Sequence, residues 1–265
     1  MIGMRMGMGL GAMQNSGGGA TPAVWTIAPN ADGTKYVRIR CADTGQTLTV
    51  TGGAEIKLES GGEWGTSVVV PSGEVDRNIY FRGNGTGGTL TFPNPENITY
   101  LHLYATWTSI TGSINGMALT YLYLAATGIS ITGSINGMAL TYLFLSATGT
   151  SITGVPPAIG KTLLSFRILG GTSYNYPWTE QTFAPPKRTW TATTMSIDCV
   201  AEAPTPAQFN TWLLGLASVS NAGTATLTLK KTPTVEDLTA AGLIGAGSGY
   251  YAMTTTLGYT LTLGE

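Results

Sequence analysis

Charge is scarce in this 265-residue chain: only 10% of it is Asp, Glu, Lys or Arg, and 13 basic residues face 14 acidic ones for a formal net charge of −1. A surface so close to neutral gives no electrostatic reason to expect nucleic acid or an anionic membrane as partner. Histidine occurs once, at His102. A Ser-His-Asp relay therefore has a single candidate, on the outward face of a strand, and no GxSxG elbow accompanies it. No run of His, Cys, Asp and Glu stands at metal-ligand spacing, so neither a catalytic centre, a metal nor a cofactor is expected. The acidic residues Glu55, Glu59, Glu63, Glu74 and Asp76 are scattered, with nothing pairing them for glycosidase chemistry. Gly83 to Gly88, GNGTGG, lacks the Lys-Ser/Thr and the following helix of a phosphate loop and reads as a turn. Cysteine is limited to Cys41 and Cys199, far apart, which reads as two buried free thiols and not as a disulfide framework. No stretch reaches the roughly 18 to 20 apolar residues that a spanning helix needs. Met1-Ile2-Gly3-Met4-Arg5 is similar to the start of a signal peptide, but glycine interrupts the apolar run and no clear cleavage site follows.

What the chain has in quantity is glycine, threonine, small polar residues and β-branched runs. Residues 1–20 alternate glycine with methionine and end in Ser16-Gly17-Gly18-Gly19. Met4, Met6, Met8 and Leu10 fall at period two, so a strand here has one apolar face and one nearly bare glycine face. Such an arm is either disordered or an anchor laid into a partner's groove or sheet edge. Residues 21–95 carry short strand signals, TKYVRIRC, TLTV, AEIKL, TSVVV, NIYF and TLTF, punctuated by Gly, Asn, Asp and Pro. This reads as a β-rich N-terminal domain or cap, with Val37, Ile39 and Cys41 buried and Tyr36, Arg38 and Arg40 wet.

The repeat is the strongest signal. Segments beginning at Ile98, Leu119 and Leu140 superpose at an offset of 21 residues, and ITGSINGMALTYL is identical in Ile110 to Leu122 and Ile131 to Leu143. A period in this range implies stacked coils that bury a core only together. Leu101 and Leu103, Leu122 and Leu124, and Leu143 and Leu145 face inward, followed by Ile110, Ile131 and Ile152, and then Ile114, Ile135 and Val155. The expectation is coils lying flat on one another in a right-handed solenoid with a parallel β-sheet, over residues 96–170. Identical residues would form ladders, Asn115 and Asn136 among them. Outward columns follow: Tyr100, Tyr121 and Tyr142; His102, Tyr123 and Phe144; Tyr104, Ala125 and Ser146. These rings either bind sugars or a protein partner, or pack on one another to stabilise the sheet. Residues 171–265 read as strand–helix coils and a cap: MSIDCV and TATLTLK as strands, TPAQFNTWLLGLASV as a helix with Phe209, Trp212, Leu213 and Leu216 at helical spacing, TVEDLTAAGLIGAG as a helix capped by Thr234, and YYAMTTT as a last strand.

The pattern LxxLxLxxxxxxITGxI resembles a leucine-rich repeat, and ITGSI with ITGVPPAIG is similar to the LTGxIPxxLG half of the plant-type subclass. The resemblance covers residues 98 to 170; it departs in its short unit and in Thr106, Thr127 and Thr148, which stand where the family has asparagine. It implies a mainly β, leucine-rich-repeat-like fold with a few C-terminal helices. Near-identical coils, a Met/Gly arm and little charge resemble bacteriophage virion proteins: tail or head fibres, spikes or decoration proteins. That resemblance implies a non-enzymatic, homo-oligomeric protein of the virion. It would be anchored to capsid, portal or tail proteins by Met4, Met6, Met8 and Leu10, with Tyr100, His102, Tyr104, Tyr121, Tyr123, Tyr142 and Phe144 facing a host-surface protein or glycan. The alternatives are a secreted or surface bacterial leucine-rich-repeat adhesin and a polysaccharide-cleaving enzyme on a β-solenoid.

Overall fold

Alternation of β-branched or aromatic residues with polar ones, broken by glycine turns, is the local rule that builds most of this chain. A computed structural model describes residues 21–104, 109–125, 127–146, 149–156, 165–168, 174, 176–183, 189, 195–198 and 203–264. The first seven strands are β1 (Ala23–Ala28), β2 (Lys35–Cys41), β3 (Gln46–Val50), β4 (Glu55–Leu58), β5 (Ser67–Val70), β6 (Arg77–Arg82) and β7 (Gly88–Phe92). The repeats supply β8 (Ile98–Tyr104), β9 (Ser109–Ser113), β10 (Tyr121–Ala125), β11 (Ile129–Ser134), β12 (Tyr142–Leu145) and β13 (Ser151–Thr153). Then come β14 (Ser165–Ile168), β15 (Met195–Asp198), helix α1 (Pro206–Val219), β16 (Thr226–Lys230), helix α2 (Val235–Ala240), the short helix α3 (Gly249–Tyr251) and β17 (Thr260–Leu263).

These strands form two open mixed sheets. One has seven strands in the order β13-β11-β9-β1-β7-β3-β5; the other has ten in the order β17-β16-β15-β14-β12-β10-β8-β2-β6-β4. Between them runs one apolar core that includes Trp25, Ile39 and Phe81 from the first strands, Leu101, Leu122 and Leu143 from the repeats, and Phe209, Trp212 and Leu229 beyond.

This overturns the solenoid expectation. Both sheets continue through the N-terminal strands, which pair antiparallel: β1 with β7 and β9, and β2 with β6 and β8. The repeats are thus the middle of the ten-stranded sheet and one end of the seven-stranded sheet, each continuous with antiparallel N-terminal strands. Nor do successive repeats lie flat. On the ten-stranded side, Leu101, Leu122 and Leu143 sit opposite one another in parallel strands at the full 21-residue period. On the seven-stranded side Ile129, not Ile131, lies opposite Ile110, and Ile131 lies opposite Gly112. A slip of two residues keeps every side chain on its own face, so the core tolerates it.

Other contacts fix the slip. The amide of Ser134 donates to Asn115 Oδ1 at 2.9 Å and that of Val155 to Asn136 Oδ1 at 2.8 Å, each across 19 residues. Each asparagine therefore staples its own turn to the next repeat's backbone, in place of an amide-to-amide ladder. Gly112 cannot carry a side chain, because a Cβ would stand 2.2 Å from the Trp25 ring. Val155, expected inside, is half-buried.

Helix α1 begins at a capping box of Thr205 and Gln208 and buries Phe209, Trp212, Leu213 and Leu216. Helix α2 is capped likewise by Thr234 with Asp237. The segment YYAMTTT is not a strand. Ser248 Oγ accepts the amide of Tyr251, which starts α3, and a π-helical turn at Ala252–Thr256 closes with Leu257 N–H donating to Ala252 O. Met253 is thereby buried, at a place where helical and strand spacing put the same residue types in play.

Candidate binding surface

On the ten-stranded sheet, inward leucines fix which side chains of β8, β10 and β12 face out, and the parallel pairing at the full period sets like residue beside like. Tyr100, Tyr121 and Tyr142 form one cross-strand row; His102, Tyr123 and Phe144 form the next; Tyr104 pairs with Ala125. All seven expected surface residues thus come together on one face. Antiparallel β2 extends the rows by placing Arg40 beside Tyr100 and Arg38 beside His102, and β14 places Arg167 beside Phe144.

The rings stand like books on a shelf. Tyr100 and Tyr121 stack with centroids 4.1 Å apart, Tyr121 and Tyr142 at 4.3 Å, and Tyr123 and Phe144 at 4.5 Å, with planes within 11° of parallel. Contacts at this distance bring roughly 0.5 to 1.5 kcal/mol per pair beyond area burial. They also occupy the ring faces that a sugar would stack on. Tyr100 and Phe144 are buried, while Tyr121, Tyr123 and Tyr142 expose only part of their surface. Tyr104 alone stands clear, 53% exposed and tilted 60° to Tyr123. Self-packing therefore accounts for most of the stack, and the surface offered outward consists of ring edges, hydroxyls and the Tyr104 ring.

Burial, then bonds to Tyr100 and Tyr142, hold the Tyr121 phenol well above its ordinary range, so Tyr121 stays neutral. Burial likewise raises Tyr123. His102, expected to be an exposed strand residue, is half-buried: its ring centroid lies 4.3 Å from that of Tyr123, and its Nδ1 is 3.4 Å from the Tyr100 hydroxyl. Its Nε2 is buried with no hydrogen-bond partner. Burial first, and then the positive charge of Arg38, push its pKa down to about 4. His102 is therefore a neutral member of the aromatic row at neutral pH.

The arginines end the rows. Arg40 lies over Tyr100 at 5.6 Å and is neutralised by Asp76 at 2.7 Å and Glu74 at 3.0 Å. Arg167 lies over Phe144 at 5.3 Å. Arg38 donates to Asn78 Oδ1 at 2.8 Å. Among the described residues neither Arg38 nor Arg167 meets a carboxylate, in contrast to Arg40, Arg77 and Arg82. Sequence reasoning found Arg38 and Arg40 to be wet but could not place them at the row ends, because a 60-residue separation hides the β2–β8 pairing. Arg167 went unnoticed; its signal is that SFRI continues the series TYLHL, TYLYL and TYLFL by one more rung.

The proposed anchoring residues Met4, Met6, Met8 and Leu10 lie outside the described residues, as does Cys199; Cys41 is a buried free thiol whose pKa burial raises. A cleft of about 480 Å³ between the third repeat and the start of α1 is lined by Asn136, Tyr176, Trp178, Glu180 and Gln208. Its Trp178 is 7% exposed and packed at steep angles against Tyr176, Phe209 and Trp212, so little of its ring reaches the cleft. Among the described residues, no group of three or more His, Cys, Asp or Glu is arranged to hold a metal ion, and no helix is long and apolar enough to cross a membrane. No family model matches the chain, and no match was found among curated proteins or solved structures.

Proposed function

We propose that the chain is a non-catalytic structural protein of a bacteriophage particle, a fibre, spike or decoration protein of head or tail. In this reading residues 1–20 join it to capsid, portal or tail proteins, and the outer face of the ten-stranded sheet meets a protein or glycan of the host surface. The assembly is a homo-oligomer of the virion, as fibres and spikes commonly are.

The observation that carries the reading is the convergence of Tyr104, the tyrosine rows and the row-ending arginines on one solvent-facing side of a sheet whose other side is core. An exposed aromatic ring set among hydroxyls and guanidinium groups is the composition of a recognition patch. The arm adds a second support: Met4, Met6, Met8 and Leu10 at period two give an adaptable apolar stripe on a glycine backbone that can be laid against a sheet edge. Deleting residues 2–15 is expected to abolish incorporation into particles while leaving the circular-dichroism spectrum and melting temperature nearly unchanged. A truncated chain that still co-purifies with particles contradicts the anchor.

A further inference from the structure

We infer that the outer face of the ten-stranded sheet takes an acidic glycan, a hydroxyl-rich chain bearing carboxylates on some of its sugars, lying across the strands from Arg38 to Arg167. The inference rests on the adhesion reading above and narrows its partner. Arg38, His102, Tyr123, Phe144 and Arg167 occupy one continuous cross-strand row over β2, β8, β10, β12 and β14. Four strand spacings separate its ends by about 19 Å. Both end groups are guanidinium ions without a carboxylate partner among the described residues, on a face where Arg40 and Arg82 are neutralised at 2.7 Å by Asp76 and Glu55. A guanidinium beside an aromatic ring that meets no carboxylate among the described residues is a ready donor for a bidentate carboxylate contact.

The middle of the row decides what lies between the two charges. His102 is neutral and Phe144 has no polar atom, so the interval has no charge. The neighbouring row presents the hydroxyls of Tyr121 and Tyr142, which suit a polyol. Single-stranded nucleic acid fits poorly, because its bases need free ring faces, which the stacking at 4.1 to 4.5 Å has consumed. Tyr104, with its ring half-exposed beside His102, supplies a face on which a sugar ring can rest.

The test uses the full chain with three probes: a galacturonic acid octamer, its fully methyl-esterified form, and a linear polyphosphate of similar length. Calorimetry is expected to show binding of the acidic octamer that weakens as salt rises, and at least tenfold weaker binding of the ester. Arg167→Gln is expected to weaken the octamer about tenfold, the effect of one charge-assisted contact, with Arg167→Lys recovering part of it and Arg82→Gln, whose charge is already paired, changing little. Arg167 is exposed, so its variants keep the fold, and unchanged melting temperatures verify this. Equal binding of acid and ester, stronger binding of polyphosphate, or indifference to Arg167→Gln overturns the inference. Should no octamer bind while Tyr104→Ser still lowers host adsorption, the acidic-glycan assignment falls and the adhesion reading stands. Should the octamer bind through Arg167 while Tyr104→Ser leaves adsorption unchanged, the glycan site stands and the adhesion reading falls.

Discussion

Each repeat contributes one strand to the ten-stranded sheet and one to the seven-stranded sheet, yet the two outer faces share almost nothing. On the first, Tyr100, Tyr121 and Tyr142 meet at the full 21-residue period and stack. On the second, the strands slip by two residues, so that Thr111 meets Ser130 and Thr132 meets Ser151, and the face continues into Thr26, Thr89, Thr47 and Val69 of the antiparallel strands. Register makes the difference. Identical residues build rows only where the period and the pairing agree; where they disagree, the same repeat yields a smooth lawn of small hydroxyl groups.

Four changes probe that comparison. Leu122→Ala strikes the core that both faces share, and since Leu122 is fully buried it is expected to cost about 3 to 4 kcal/mol in urea unfolding. A cost under about 1 kcal/mol would mean that the Leu101–Leu122–Leu143 ladder is not packed as described. Gly112→Ala drives a methyl group into the Trp25 ring at the junction between antiparallel strands and repeats, and about 2 to 3 kcal/mol is expected. A neutral result removes the contact that distinguishes this glycine.

His102→Phe extends the aromatic row and separates its energetics from pH. The folded pKa near 4 lies below the usual value near 6.5, so between these values the unfolded chain binds the extra proton. Wild-type stability therefore falls as pH drops from 6.5 to 4 and levels off below. Allowing for screening at a half-buried site, the loss is about 2 kcal/mol. His102→Phe is expected to flatten that slope relative to wild type in melts at pH 4 to 7; parallel curves refute the burial of the ring. The smallest effect belongs to the slipped side. Asn115→Ala removes the acceptor of the Ser134 amide, and about 1 kcal/mol is expected, with faster hydrogen exchange at Ser134 as the local signature.

Local sequence rules carried much of the fold. The inward leucines, the outward tyrosines, the capped helices α1 and α2, and the alternation of β2 follow from period, capping residues and β-branching alone. What failed was long-range. Nothing local in TKYVRIRC tells that it pairs with the first repeat strand, and nothing in AVWTIA tells that it joins β7 to β9, so the N-terminal strands read as a β-rich domain or cap and the repeats as a solenoid. The period fixed the coil length and was silent on the two-residue slip, which depends on Asn115, Asn136 and the space over Gly112. At the candidate surface the aromatic columns were legible because they repeat. Their occupied ring faces, the half-burial of His102 and the part of Arg167 were not, because each depends on the neighbour across a strand.

The two outer faces also permit the most direct test of the binding role. Tyr104 on the ten-stranded sheet and Val69 on the seven-stranded sheet are comparably exposed, at 53% and 66%. Particles carrying Tyr104→Ser are expected to adsorb to host cells about tenfold less well, as for loss of one aromatic contact at a binding site, while particles carrying Val69→Ser adsorb like wild type. Unchanged adsorption with Tyr104→Ser, or an equal loss with Val69→Ser, contradicts the account.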